Sequence, residues 1–257
     1  MKFSTPKAEI VGHACASVVS ACKKAFANSL ECVTLKGSTV KGDFIQGYSD
    51  FDFHVFIKPE AMDGEKNPKV EYAVRFQKAI GDINPKDFCA SQFQIYFINS
   101  KKYPRNWVPP VEGTYKILWG DLPSVAHERS DSAYLRSARQ CLLNVYDDRQ
   151  MLVRRFVDKT NTGVPTVVRL LGVTVKSHMY SVAILATQKP KTVLRTKLDK
   201  LIPIVEKEIK SKKRLYTFFE YLSNWPKVQQ NSDYARDALK KGIKVLDEID
   251  RWAHGLK

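Results

Sequence analysis

Residues 50–57 read Asp-Phe-Asp-Phe-His-Val-Phe-Ile, and no other stretch constrains the fold as tightly. Successive side chains of a strand point to opposite faces, so Asp50 and Asp52 share one face while Phe51, Phe53, Val55 and Ile57 turn into a core. Two carboxylates side by side repel each other and call for a cation between them. A hard divalent ion with oxygen ligands, such as magnesium, answers that need at neutral pH. Upstream, Gly37 and Ser38 follow a short apolar run. A turn there offers backbone N–H groups and a hydroxyl, with no Cβ at Gly37 to keep a phosphate away. The acid pair and the glycine turn together suit a nucleoside triphosphate with its metal.

The flanking pattern supplies a frame for this segment. Apolar residues recur at helical spacing over 6–30, where Val11, Val18, Cys22, Phe26 and Leu30 fall on one side and Pro6 suits a first turn. Residues 32–36 read as a strand, 51–57 as a second and 93–98, rich in β-formers, as a third. Residues 69–80 read as helical, with a break at 81–85. The region 99–123 carries Pro104, Pro109, Pro110 and Gly113 and ends in an apolar run at 115–119, either a further strand or an extended connector. Beyond about Ser130 the period becomes helical, over 133–157, 166–187, 193–209, 215–222 and 234–252. The expected fold class is α+β: a small mixed sheet with flanking helices over 1–125, followed by an all-α helical bundle over 126–257 that binds the acceptor.

Composition narrows the partners. The chain has 42 Lys+Arg against 27 Asp+Glu, a formal +15, which attracts polyanions and repels small cations. RNA or an acidic protein fits that field, and so does a lysine-rich surface that only solvates the chain. With 44% hydrophobic and 27% charged residues, a core is affordable, and no segment reads as the long uncharged run of a bilayer span. Residues 1–9 lack the apolar stretch of a secretory signal, so a cytoplasmic location and no membrane partner are expected. Five cysteines without a CxxC pair indicate neither a disulfide framework nor a zinc knuckle, and are expected buried and reduced.

The passage Leu35 to Ile57 resembles the nucleotidyltransferases of the polymerase-β type. Their signature is Gly-Ser, roughly ten residues, and then an acid-hydrophobic-acid-hydrophobic run entering a strand, matched by Gly37, Ser38, Asp50, Phe51, Asp52 and Phe53. The two-part plan is similar to the kanamycin and streptomycin nucleotidyltransferases, which modify aminoglycosides. The resemblance implies that Asp50 and Asp52 are the catalytic metal ligands, holding two magnesium ions. It also implies that Gly37, Ser38 and Lys41 bind the triphosphate, with ATP the expected donor. The activity implied is transfer of a nucleoside monophosphate to an acceptor hydroxyl on a small molecule or protein, with release of pyrophosphate.

Two features pull against that picture. Complete members carry a third acid on a neighbouring strand, where this chain offers Gln94, which takes no proton at neutral pH. Asp87, Glu128, Asp147 and Asp148 are substitute bases. A basic chain also suits a cationic aminoglycoside poorly, so transfer to an RNA terminus is the competing activity. A degenerate module that binds nucleotide or RNA without catalysis is the competing class. His54, on the face of the aspartates by alternation, reads as structural.

Overall fold

The structure, a computed structural model, describes residues 6–102 and 107–255; Pro104 and the first five residues of the chain lie outside the described residues. The chain divides into two compact units, one ending at Arg129 and the other beginning at Ser130.

In the first unit, helix α1 (Ala8–Phe26) buries Ala14, Cys15, Val18, Ala21, Cys22, Ala25 and Phe26, the stripe that a 3.6-residue period lays along one side. The helix stops four residues short of the end expected from periodicity. Ala27 turns to φ 44°, residues Ala27–Ser29 form a single tight turn, and Ser29 O accepts from Lys58 N–H at 2.9 Å. Leu30 therefore opens strand β1 (Leu30–Lys36) instead of closing the helix. It is buried in either role, which is why spacing alone misassigns it.

The short helix α2 (Ser38–Lys41) follows, then strand β2 (Phe51–Ile57), and a two-residue pair β3 (Met62–Asp63) and β4 (Asn67–Pro68). Helix α3 (Val70–Ile80) leads to β5 (Phe93–Asn99), and β6 (Tyr115–Gly120) closes the unit, so residues 115–119 are strand and not connector. The four long strands form one sheet in the order β5-β2-β1-β6. β1 runs antiparallel to β2 and to β6, and β2 runs parallel to β5. A parallel pair cannot be joined by a tight turn, and the crossover from β2 to β5 carries α3.

One face of the sheet is a dry aromatic core. Phe51, Phe53, Val55 and Ile57 are fully buried there with Val33, Leu35, Val18 and Cys22. Phe76 meets Phe97 edge-on at 5.2 Å between centroids, and Phe26 lies 5.3 Å from Phe97. The opposite face is graded. The strand register sets Lys36, Asp52 and Gln94 in one row, Thr34, His54 and Tyr96 in the next, and Cys32, Phe56 and Ile98 in a third. The third row is capped by Val125, Ala126, Trp107 and Leu122, so Phe56 is buried although it departs from the alternation of its strand. Polarity thus rises along this face toward Asp50 and Asp52.

The second unit consists of helices: α4 (Asp131–Leu142), α5 (Val145–Val157), α6 (Val164–Thr187), α7 (Pro190–Arg195), α8 (Leu198–Ile209), α9 (Arg214–Ser223), α10 (Trp225–Gln230) and α11 (Ser232–His254). Two stretches expected as continuous are each split. The first breaks at Leu143 and Asn144, with Asn144 at ψ 0°, and the second at Thr196, which turns extended. Tyr134, Ala138 and Leu142 before the first break and Val145 and Leu152 after it all face inward, so the apolar period runs through the break and conceals it.

Helix α6 corrects the expectation that no segment approaches a bilayer span, because residues Asn161–Thr187 are long and apolar enough by length and composition. The cause is visible in its neighbours. α4, α5, α8 and α11 all pack on α6, and a helix covered on several sides is apolar on several sides.

Where α11 crosses α6 and α9, Gly242 lets the backbones close up: a Cβ there would lie 2.6 Å from both Leu171 Cδ2 and Phe218 Cε2. Gly242→Val is expected to destabilise the helical unit by about 1–3 kcal/mol, the usual cost of overpacking. At Gly12 of α1 a Cβ would meet nothing within 4 Å, and Gly12→Ala should stabilise by up to about 1 kcal/mol through helix propensity. Denaturant unfolding of both variants measures the contrast; equal effects would show that the contacts at Gly242 are slack.

Candidate active site

The polar end of the open face is built by a loop folded back on itself. Ile45 N–H donates to Ser49 Oγ at 2.9 Å and Ser49 N–H to Ile45 O at 2.8 Å, while Gly47 N–H reaches Cys89 O at 2.8 Å. Ser91 N–H then donates to Ser49 O at 3.0 Å and Phe51 N–H to Gln92 O at 3.1 Å. These bonds tie the entrance of β2 to the entrance of β5, and so bring Asp50 beside Ser91, Gln92 and Gln94.

Asp50 is buried and Asp52 half-buried. Ser91 Oγ donates to Asp50 Oδ1, and Gln92 Nε2 donates to Asp50 Oδ2 at 3.4 Å. The Gln94 side chain lies between the two acids. With its nitrogen toward them, the orientation that its partners require, it donates to Asp50 Oδ2 at 3.0 Å and to Asp52 Oδ1 at 3.3 Å, and its oxygen accepts from the Tyr96 hydroxyl. One amide nitrogen in reach of both carboxylates shows that their oxygens converge on a common point.

Gly37 stands against the same pair. It adopts φ +80°, and a Cβ built there would fall 2.4 Å from Asp52 Oδ2, so the residue is glycine both for its backbone angle and for the carboxylate behind it. Ser38 and Thr39, both buried, begin α2. Lys41 N–H closes back on Gly37 O at 3.1 Å, and Gly42 ends the turn in the left-handed region. The first-turn amides of such a helix have no partner within it. Of the residues expected at the site, Gly37, Asp50 and Asp52 are therefore brought together directly. Ser38 opens the adjoining turn and Lys41 stands, part-buried, in its last residue.

Gln94 occupies the register position beside Asp52 where the third acid was expected. The substitute acids differ in setting. Asp87 is exposed on the single turn Pro85–Phe88. Glu128 Oε1 accepts from Glu112 N–H at 2.6 Å. Asp148 Oδ2 pairs with His178 Nε2 at 2.8 Å within the helical unit, and Asp147 lines a cleft of that unit. Among the described residues no group of three or more His, Cys, Asp or Glu is placed to hold a metal ion. What the open face offers a cation is two carboxylates and, with the Gln94 amide turned over, a third oxygen.

The second row sets the site's electrostatics. His54 is buried, and its burial, helped by the charge of Lys36, holds it well below its ordinary value and hence neutral. Tyr96 and Trp107 meet its ring edge-on at 5.7 and 5.5 Å, a packing role that agrees with its reading from sequence. Burial and then the charges of Asp52 and Asp50 push the Tyr96 hydroxyl up to about 12, so it remains a donor. Lys36 Nζ lies 5.0 Å from the Tyr96 ring centroid, opposite Asp52 in register. Sequence reasoning passed over Lys36, Ser91, Gln92 and Tyr96. Lys36 and Tyr96 follow from alternation once the strand pairing is known, whereas Ser91 and Gln92 depend on the loop and leave no local signal.

In comparisons with known proteins, no family model matches the chain and no curated protein matches its sequence.

The contact between Gly37 and Asp52 is directly testable. Gly37→Ala should destabilise the first unit by about 1–3 kcal/mol through its backbone alone, since φ 80° with ψ −148° is open essentially to glycine, and by more through the clash. In an Asp52→Ala background the clash term disappears, so a double-mutant cycle in denaturant should show a coupling of about 0.5–3 kcal/mol. Strict additivity would mean that the carboxylate does not press on Gly37.

Proposed function

We propose that the first unit is a nucleotidyltransferase fold, and that the chain transfers a nucleoside monophosphate from a nucleoside triphosphate to an acceptor hydroxyl with pyrophosphate leaving. The helical unit is then a bundle that presents the acceptor. The observation that carries this reading is the convergence of Asp50 and Asp52 on one point beside the Gly37 turn.

The acid pair fits magnesium, a hard ion that favours carboxylate and carbonyl oxygens and completes its shell with water and substrate phosphate. Asp50 and Asp52 would hold it, and Gln94 would add its oxygen by half a turn of its amide. When bound, the metal supplies charge neutralisation for the phosphates and activation of the attacking hydroxyl. Ser91 and Gln92 keep Asp50 in one orientation, as positioned ligands require. The Gly37–Ser38 turn offers a phosphate a hydroxyl and backbone N–H groups, and Lys36 and Lys41 supply positive charge. Gln94 can bond a ligand but cannot remove a proton from it, so the chain acts by positioning and electrostatics.

The formal +15 favours RNA over a cationic small molecule as the acceptor, with ATP still the expected donor. Incubating the chain with each α-labelled nucleotide, magnesium, and RNA, protein or small-molecule acceptors shows where label goes. An RNA acceptor should also show binding that weakens steeply with salt. Label in no species under any condition would leave the chain a nucleotide- or RNA-binding module.

Asp52→Asn is expected to lower transfer by about 10²-fold or more with the fold retained. It is a cleaner variant than Asp50→Asn, whose new amide would face the donors Ser91, Gln92 and Gln94. Undiminished transfer in Asp52→Asn would remove the assignment.

Gln94→Glu replaces the bridging donor with a third carboxylate. It should lower the melting temperature without metal, make that temperature rise more steeply with magnesium than in the unsubstituted chain, and raise the transfer rate, a base typically contributing about 10²–10⁴-fold. A melting temperature that responds to magnesium no more than that of the unsubstituted chain would show that the three side chains do not share an ion.

A further inference from the structure

The five cysteines are all free, yet they stand in different chemistry. Burial pushes the thiols of Cys15, Cys22 and Cys32 up to about 11, 12 and 12, which makes them inert. Cys89 is part-buried and accepts from Gln46 Nε2 at 3.4 Å. Cys141, on α4, is part-buried as well, but its Sγ lies 3.4 Å from His178 Nδ1 and 3.5 Å from Ser177 Oγ on α6. The far nitrogen of that imidazole, Nε2, is 2.8 Å from Asp148 Oδ2 on α5. His178 is buried, 1% exposed, so two bonds from two helices fix its ring.

A sulfur, an imidazole and a carboxylate in line is the arrangement that stabilises a thiolate: the base sits in reach of the nucleophile and a third group orients the base. Burial alone raises the Cys141 thiol, but the hydrogen bond and charge of His178 and the hydroxyls of Ser177 and Ser181 outweigh it and bring the thiol below its ordinary value. Burial likewise disfavours the His178 cation, and the bonds to Cys141 and Asp148 overcome it. The same contact moves both groups, each toward its charged form. Because His178 gives one nitrogen to sulfur and the other to the carboxylate, the three groups cannot ligate one metal ion.

We propose that Cys141 is a reactive thiolate, held by His178 and positioned through Asp148, that takes up a hydroperoxide and becomes a sulfenic acid. The sulfur attacks one peroxide oxygen, so an S–O bond forms as the O–O bond breaks. Sulfur is oxidised and keeps the terminal peroxide oxygen, the peroxide is reduced, and the departing hydroxide of hydrogen peroxide, or alkoxide of an alkyl hydroperoxide, takes the proton of the His178 imidazolium and leaves as water or alcohol. Low thiol pKa and access are what such oxidation selects for. A small oxidant needs nothing more, whereas acyl transfer needs a substrate cleft and donors for an oxyanion. A cleft of this unit, about 1020 Å³ and lined by Arg139, Leu142, Tyr146 and Gln188 among others, does not include Cys141 in its wall. Cys141 is the one cysteine after residue 130, so no second thiol within the helical unit converts the sulfenic acid to a disulfide.

The full chain treated with hydrogen peroxide and a sulfenic-acid-trapping dicarbonyl, then mapped by mass spectrometry, should carry the adduct at Cys141 and not at the other four cysteines. Iodoacetamide at neutral pH should alkylate Cys141 about tenfold or more faster than Cys89, in keeping with thiolate-controlled reactivity. Replacing the buried His178 risks the fold, so the test of the relay is Asp148→Asn. That variant should slow alkylation at Cys141 alone and reduce the ultraviolet thiolate absorbance, which Cys141→Ser abolishes and Asp148→Glu restores in part. Alkylation of Cys141 no faster than of Cys89, or a rate and absorbance unchanged by Asp148→Asn, overturns the activated thiolate. Fast alkylation without a trapped sulfenic acid overturns the peroxide assignment.

Discussion

Asp52 lies on one face of β2, a strand whose other face lies in a dry aromatic core, with Asp50 just ahead of the strand, and that pairing governs the arrangement of the first unit. A buried carboxylate is tolerated only with donors around it, and here the donors come from across the sheet. Ser91, Gln92 and Gln94 all belong to the entrance of β5, which makes the parallel pairing of β2 with β5, and therefore the α3 crossover, a requirement of the acid pair as well as of the core. The glycine at 37 answers the same demand from the β1 side.

The graded face follows from the same constraint. Polar groups at the loop end and apolar ones at the other leave His54 between them, neutral and packed by rings. A charged imidazole in that row would face Lys36, so its neutrality keeps positive charge from accumulating beneath the acids, where the proposed nucleotide's metal would have to compete with it.

How much of this can be read from residues alone depends on the range of the interaction. The alternation over 50–57 places the acids and the core aromatics correctly, because strand period is a local property. It places Gln94 by the same rule applied to 93–98. The Leu30 boundary is misplaced because a buried leucine satisfies helix and strand alike, and the break at Leu143 and Asn144 is concealed because the helices on both sides of it face inward. Ser91 and Gln92 escape notice because a folded loop, not a periodic element, aims them at Asp50. Cys141 and His178 are 37 positions apart in sequence, and only the packing of α4 on α6 makes them a pair; an odd count of unspaced cysteines gives no hint of it.

The helix that carries His178 has a further consequence for how the chain is made. α6 is apolar toward α4, α5, α8 and α11, yet α8 and α11 lie after it in the sequence. During synthesis at about 5–20 residues per second, α6 leaves the ribosome with only its earlier neighbours available. For a few seconds its remaining sides are open to chaperones or to a neighbouring nascent chain. The helical unit is thus most vulnerable before α11 emerges, and slow translation through 190–231 would lengthen that interval while leaving the finished fold unchanged.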